Sequence, residues 1–221
     1  LGTDLALWHT AVVKTSVANA TLLVNTTPIP VGLYAAWVLR ERPGAPFVLG
    51  TASALLGTAL LLRADRGLGA VALSGDALAL SAALFYAAYL IAMKRVRRRV
   101  DALHGTLAAT LGAVAVLGLY AVLRGDPFTG FPARSWWAFL GAAGISQLGG
   151  VLGIAWGLRW LRATFASLTL LVQPVGTALL GWLLLGEALG PLQALGGAAV
   201  LAGIVLVTRG GRFSRKLCTP A

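Results

Sequence analysis

The chain is poor in almost everything that aqueous chemistry uses. Its 221 residues hold seven acidic side chains, two histidines, one cysteine and one methionine. A single cysteine, Cys218, excludes an internal disulfide and any multi-cysteine metal site. Neither His9 nor His104 has a second ligand nearby, so no H-E-x-x-H centre exists. No serine stands in G-x-S-x-G, and no G-x-x-x-x-G-K-[ST] loop is present, which argues against a membrane-embedded hydrolase and a built-in ATPase. We therefore expect no enzyme activity, no metal and no cofactor. Charge is scarce too: 11% of residues are charged, against about a quarter in a soluble domain. Segments of about ten residues alternating apolar and polar, the mark of a membrane β-barrel, are also missing.

What is present is apolar and continuous. Hydrophobic residues make up 58% of the chain and the mean hydropathy is +0.83. They fall in runs of roughly 17–25 residues, long enough to cross a bilayer as helices. The expected class is therefore an all-α integral membrane protein. After a partial span over about 1–13, spans are expected at 17–39, 46–62, 74–93, 103–123, 136–158, 163–185 and 190–208. Short connections such as Arg42-Pro43-Gly44 and Gly125-Asp126-Pro127 carry turn chemistry. No basic region precedes the first apolar stretch, so a signal peptide is not expected.

The formal net charge of +11 comes from basic residues at span ends, densest in Lys94-Arg95-Val96-Arg97-Arg98-Arg99. Such a cluster ordinarily anchors topology and lipid headgroups. No aromatic-rich basic groove accompanies it, so nucleic acid is not an expected partner. Counted on alternate sides of the spans, thirteen of the eighteen Lys and Arg fall on one side. The positive-inside rule makes that side cytoplasmic, together with the basic tail 210–221. The expected location is the inner (plasma) membrane, multi-pass, with a cytoplasmic C-terminus.

The chain also repeats itself. Residues 16–63 return 146 positions later as 162–209: Pro28 meets Pro174, Glu41 meets Glu187, Gly50 meets Gly196 and Gly57 meets Gly203. Proline inside an apolar helix costs about 3 kcal/mol, too much to recur by accident at a fixed offset. The topology puts the Glu41 loop and the Glu187 loop on opposite sides, so the repeat is inverted, as in many secondary transporters. The first unit covers 1–63, a connecting loop 64–73, and a second unit of five spans 74–209. By the same offset the first unit should begin roughly 70 residues before Leu1, leaving about two and a half helices outside this chain.

At this point the residues resemble a known family. Asp4-Leu5-Ala6-Leu7-Trp8-His9-Thr10, Thr15-Ser16-Val17-Ala18-Asn19-Ala20-Thr21-Leu22-Leu23, Asn25-Thr26-Thr27-Pro28 and Arg40-Glu41-Arg42 resemble the fourth-helix region of EamA-type transporters of the drug/metabolite transporter superfamily. Gln173-Pro174, Gly186-Glu187 and the glycine-rich stretch 196–203 resemble that family's ninth and tenth helices. The resemblance implies ten helices in two inverted five-helix repeats around a central cavity, of which about seven and a half lie in this chain. It also implies alternating access and export of small metabolites such as amino acids, or of toxic organic compounds.

Several residues are candidates for the substrate path. Pro28 and Pro174 each free a backbone carbonyl in mid-span, tolerated where it faces protein or a wet cavity. Polar neighbours Asn25, Thr27 and Gln173 accompany them. The alternative is a static kink patched by threonine hydroxyls. Gln147 and Trp156 offer polar and aromatic surface in a glycine-rich span, and Tyr86 is placed to reach a cavity; most of the aromatics, which lie near span ends, read as interfacial anchors. Asp4 lies about 15 Å inside the end marked by Lys14. Carboxylates at such depth usually mark a pathway or a proton relay; the alternative is a structural pair. Asp4, with His9 as a titratable second candidate, is the possible coupling group. Glu41 and Glu187 are either gates or caps of the following helix. The competing functions are a channel and a non-transporting scaffold. The expected partners are a small-molecule substrate and the lipid bilayer; oligomeric state stays open.

Overall fold

Apolar runs with no water to satisfy their backbone must bond internally, and helices are what they form. The structure, a computed structural model, describes residues 1–15, 17–38, 44–63, 73–185 and 190–215. In chain order the helices are α1 (Gly2–Lys14), α2 (Val17–Val24), α3 (Pro28–Trp37), α4 (Ala45–Arg63), α5 (Leu73–Val96) and α6 (Ala102–Arg124). There follow α7 (Ala133–Gly141), a π-helical stretch Ala142–Val151, α8 (Leu152–Leu158), α9 (Ala163–Thr169), a 3-10 turn Leu170–Val172, α10 (Gln173–Leu185) and α11 (Pro191–Arg215). No strand occurs among the described residues. Leu73–Val96, Ala102–Arg124 and Ala133–Leu158 are each long and apolar enough to cross a membrane, and 45–60, 164–176 and 191–207 are shorter apolar helices. The chain is a multi-pass helical membrane protein.

Two expected spans are not continuous helices. The span expected at 17–39 is two helices separated at Asn25–Thr27, and the one at 163–185 is interrupted by the 3-10 turn at 170–172. Both interruptions stand within two residues of the proline, which has no N–H for the carbonyl four residues back. Within the span expected at 136–158, the π-helical stretch holds Gly144, Gly149 and Gly150. A Cβ added at Gly144 or Gly150 would meet nothing within 4 Å, so little packing holds a regular turn there.

Two helix pairs set the architecture. α1 runs antiparallel to α5: a Cβ at Gly75, near the start of α5, would lie 2.8 Å from the Thr15 nitrogen just past the end of α1. There Thr15 Oγ1 donates to Asp76 Oδ1 at 2.8 Å. α4 runs antiparallel to α11, with backbones in contact at glycines. A Cβ at Gly50 would stand 2.5 Å from the Gly203 carbonyl oxygen, and one at Gly57 would stand 2.5 Å from that of Gly196. Between them Ser53 Oγ donates to the Ala199 carbonyl at 2.9 Å.

One apolar core lies where α3, α5, α8 and α9 meet, through Val31, Tyr89, Leu90, Leu158 and Ala166. A second, through Ala54, Leu168, Leu171 and Val200, fills the angle between α4, α9 and α11. The basic cluster does more than anchor lipid. Lys94 Nζ donates to the Leu158 carbonyl at 2.7 Å, and Arg97, 4% exposed, donates from Nε to the Ala155 carbonyl at 2.8 Å. Arg95 lies 5.3 Å from the Tyr34 ring centroid and bonds its hydroxyl. Three of the five charges thus tie α5 to the ends of α8 and α3; Arg98 and Arg99 stay exposed.

Candidate functional site

The two proline breaks border the same core. Val31, three residues beyond Pro28, packs in the cluster that also takes Ala166 and Leu170 from the second break. Pro28 and Pro174 are both buried. At the first break Asn25 and Thr27 are buried as well. The carbonyl that Pro28 leaves free, Val24 O, accepts the Thr27 hydroxyl at 2.6 Å and the Thr27 amide at 3.1 Å. Thr26 Oγ1 donates to Leu23 O at 2.6 Å. At the second break Gln173, whose side chain is exposed, gives its amide to the equivalent Leu170 carbonyl, and Thr169 Oγ1 donates to Ala166 O at 2.8 Å. Both breaks are therefore closed by their own backbone and hydroxyls, so the polar residues around them satisfy the kink before any ligand.

A carboxylate in the first turn of α1 and two phenols of α5 lie at a similar depth. From the contact of Thr15 with Gly75, Asp4 lies eleven residues down α1 and Tyr86 eleven residues along α5. At 1.5 Å per residue both sit about 16 Å from that end, hence at one depth. Asp4 is 7% exposed and Tyr89 9% exposed. The two rings stack with centroids 6.0 Å apart and planes 14° from parallel. Asp4 Oδ1 and Tyr89 Oη are buried with no hydrogen-bond partner; the Leu1 nitrogen stands 3.5 Å from Oδ1.

The remaining candidates separate cleanly. His9 is exposed and its Nδ1 donates to the Leu5 carbonyl of its own helix at 2.7 Å, so it does not join Asp4. Trp156, 64% exposed, lines a shallow groove of about 550 Å³ beside Asp101 and Gly153. A second groove of about 400 Å³ runs between Gly150, Gly153 and Gly157 on one wall and Ala166, Thr169 and Leu170 on the other. The Gln147 side chain, Glu41 and Glu187 lie outside the described residues. Tyr89, expected to be an interfacial anchor with most of the aromatics, is instead buried in the core with Val31, Leu90 and Ala166. The residue's own neighbourhood in the chain carries no signal of this. No group of three metal-binding side chains occurs among the described residues.

Comparison with known proteins bears on the whole chain. The model of the EamA-like transporter family matches residues 4–63 and 73–209. The chain is 27% identical over 207 residues to the "Uncharacterized transporter YwfM" of Bacillus subtilis (strain 168), covering 93% of this chain and 69% of that protein. It is 25% identical over 205 residues to an "Uncharacterized transporter" of Archaeoglobus fulgidus, covering 92% of this chain and 72% of the relative. A solved structure, titled "Crystal structure of protein", superposes with a TM-score of 0.76 at 24% identity, covering 91% of this chain and 72% of that one, a likeness of fold.

Proposed function

The chain belongs to the EamA-like transporter family, and from that premise we propose that it is a secondary-active exporter of small metabolites, amino acids or toxic organic compounds, working by alternating access of two inverted halves.

The observation that carries this reading is a crossed set of contacts. Gly50 packs on Gly203 and Gly57 on Gly196, while Gly196 and Gly203 are the repeat equivalents of Gly50 and Gly57. Each member of the pair thus meets the other's counterpart, the rule for surfaces related by a two-fold axis. Ser53 bonds its own equivalent, Ala199, 146 residues away, which supports an axis passing near that contact. The two helices run antiparallel, so the axis lies across them, in the membrane plane, and equivalent helices cross in opposite directions. The two proline breaks then lie on either side of the axis, where rigid halves can rock around a path at mid-depth.

The groove between α8 and α9 fits the same reading. Its walls, Gly157 and Ala166, are the equivalents of Ala11 and Ala20, which in the first copy are sealed by Ala79 of α5.

The test is transport by the full chain in inside-out vesicles under an imposed proton gradient, with a panel of amino acids and metabolites scored by mass spectrometry. Gradient-dependent uptake of a panel member, absent from vesicles without the protein, is the expected result. Uptake indistinguishable from empty vesicles across the panel would sink the exporter reading. Topology is checked separately in a Cys218→Ser background. Arg99→Cys and Asp126→Cys should be labelled by an impermeant maleimide from opposite faces, the first from the cytoplasmic one.

A further inference from the structure

We infer that Tyr34 of α3 and Arg95 of α5 form a latch that closes the basic end of the transport path and parts when the path opens to that side. The inference rests on the alternating-access reading above and names the contact at which the two halves separate.

The basic end of α5 makes three ties, and they differ in what they join. Lys94 Nζ donates to the Leu158 carbonyl at 2.7 Å, and Arg97 Nε donates to the Ala155 carbonyl at 2.8 Å. Both acceptors belong to α8, in the same unit of the repeat as α5. Arg95 crosses to the other unit. Its guanidinium donates to the Tyr34 hydroxyl and lies 5.3 Å from the ring centroid. Halves that rock as bodies keep their internal bonds and exchange those between them. The Arg95–Tyr34 tie is the one of the three that has to break.

Its place and its exposure suit that task. Tyr34 lies six residues beyond Pro28, about 9 Å along α3 at 1.5 Å per residue. It stands on the half-helix beyond the first break, where a small change of angle at Asn25–Thr27 becomes a larger displacement. Val31, one turn before it, is fully buried in the core that borders both breaks. Arg97 is 4% exposed, and breaking its bond would strand a buried charge. Arg95 is exposed and Tyr34 half-buried, so both regain water on parting. Such a contact holds a state without making it permanent.

The opposite face has no matching latch. The repeat equivalent of Tyr34 is Leu180, which is exposed and carries neither ring nor hydroxyl. The two ends therefore close by different chemistry, and the Arg95 tie biases the cycle toward the state shut at the basic end.

The experiment uses the full chain with Cys218→Ser and Val31→Cys in inside-out vesicles, where the basic face is turned outward. The rate of modification by a cationic, membrane-impermeant methanethiosulfonate is read from intact mass. That rate follows the population of the open state. Arg95→Gln should raise it about ten-fold, the weight of a partly exposed cation–π contact and a charge-assisted hydrogen bond. Tyr34→Phe keeps the ring and loses the hydroxyl, and should raise it about three-fold. Both changes together should do no more than Arg95→Gln alone, as for two sides of one contact. Arg98→Gln removes a neighbouring exposed charge and should change nothing, which controls for repulsion of the reagent. Val200→Cys, equally buried in the second core, should stay unmodified in every variant. Amide exchange in 31–35, read without the introduced cysteine, should rise in parallel with the modification rate. An unchanged rate in Arg95→Gln, an equal rise in Arg98→Gln, or an equal rise at Val200→Cys would overturn the latch and leave the exporter to stand on uptake. Faster modification in Arg95→Gln with no uptake of any panel member would keep the latch as a moving contact and sink the exporter.

Discussion

Residues 17–63 and 163–209 are two attempts at one structure, and they differ most in what stands beside them. Inside each copy the chain behaves alike: a helix, a break before proline, a second helix, then a glycine-bearing helix that meets its counterpart at Gly50–Gly203 and Gly57–Gly196. Upstream they diverge. α1 is held along its length, with Gly2 against Ala113 of α6, Thr15 bonded to Asp76 and Ala11 buried under α5. The equivalent stretch, the end of the π-helical segment and α8, leaves Gly150 and Gly153 open and borders both grooves. The lesson is that the α4–α11 contact rests on backbone approach, which only glycine permits, whereas the stretches upstream of the two copies pack differently.

The largest effect should come from breaking what the copies share. Gly57→Val places carbon where the Gly196 carbonyl oxygen and the Val200 nitrogen already stand, at 2.5 and 2.7 Å from the Cβ position. Backbone cannot yield as a flexible side chain does, so about 3 kcal/mol of destabilisation is expected. Gly203→Val should cost about as much, being the same contact seen from the other copy. Gly112→Val, at a glycine with nothing within 4 Å, should change the unfolding temperature little. Unequal effects of Gly57→Val and Gly203→Val, read from thermal unfolding in detergent, would break the two-fold description.

The next effect tests the difference. α8 lacks the lengthwise support of α1 and is tied at its end by Lys94 and Arg97. Arg97→Met keeps similar bulk and leaves the Ala155 carbonyl without its buried donor. About 2–3 kcal/mol should be lost, the range for a hydrogen bond from a charged group, and amide exchange should rise in 152–158 while α1 stays protected. Equal exchange in both stretches would show that α8 is held by something other than this tie.

A smaller effect compares the two breaks. The first is closed by two threonine hydroxyls, on Leu23 O and Val24 O, and the second by one, on Ala166 O. Replacing both Thr26 and Thr27 by Val should cost about 2 kcal/mol, and Thr169→Val about 1. The ratio, measured by denaturant unfolding, is the checkable quantity. Costs that are equal would mean that water or lipid replaces the hydroxyls at the first break.

Much of this was legible in the chain because proline and glycine act through the backbone, and backbone constraints survive translation along the sequence. The repeat at a fixed offset located both breaks and both members of each glycine contact before any packing was known. Family membership and the membrane class followed from the same residues. Side-chain partnerships across distant helices were not legible. Tyr89 looked like an anchor because the residues it packs against, Val31, Leu158 and Ala166, lie on other helices, and Arg97 looked like a headgroup contact because the end of α8 could not be placed. The threonines at the first break satisfy Val24 O and Leu23 O, an outcome that the residue pattern alone left open between a kink patch and a path lining.

The smallest effect belongs to α6, which stands outside both copies and so serves as their control. Its first turn is capped by Asp101, whose carboxylate accepts the His104 amide at 3.0 Å and also bonds the His104 ring. The His104 amide, and after it the ring, holds the exposed Asp101 carboxyl below its ordinary range. A carboxyl depressed in the folded state stabilises above the unfolded value, about 3.9, and loses that contribution as pH falls from there through the folded value. Asp101→Ala should lower the unfolding temperature at neutral pH by no more than about 4 °C, and the gap to wild type should close below about pH 4. Asp101→Asn keeps a capping oxygen and should remove the pH dependence before it removes the cap. Both variants should leave the Gly57 and Gly203 effects unchanged, since additivity is expected of sites with no shared partners. A shift in the Gly57→Val penalty on changing Asp101 would mean instead that the first turn of α6 and the α4–α11 contact are coupled.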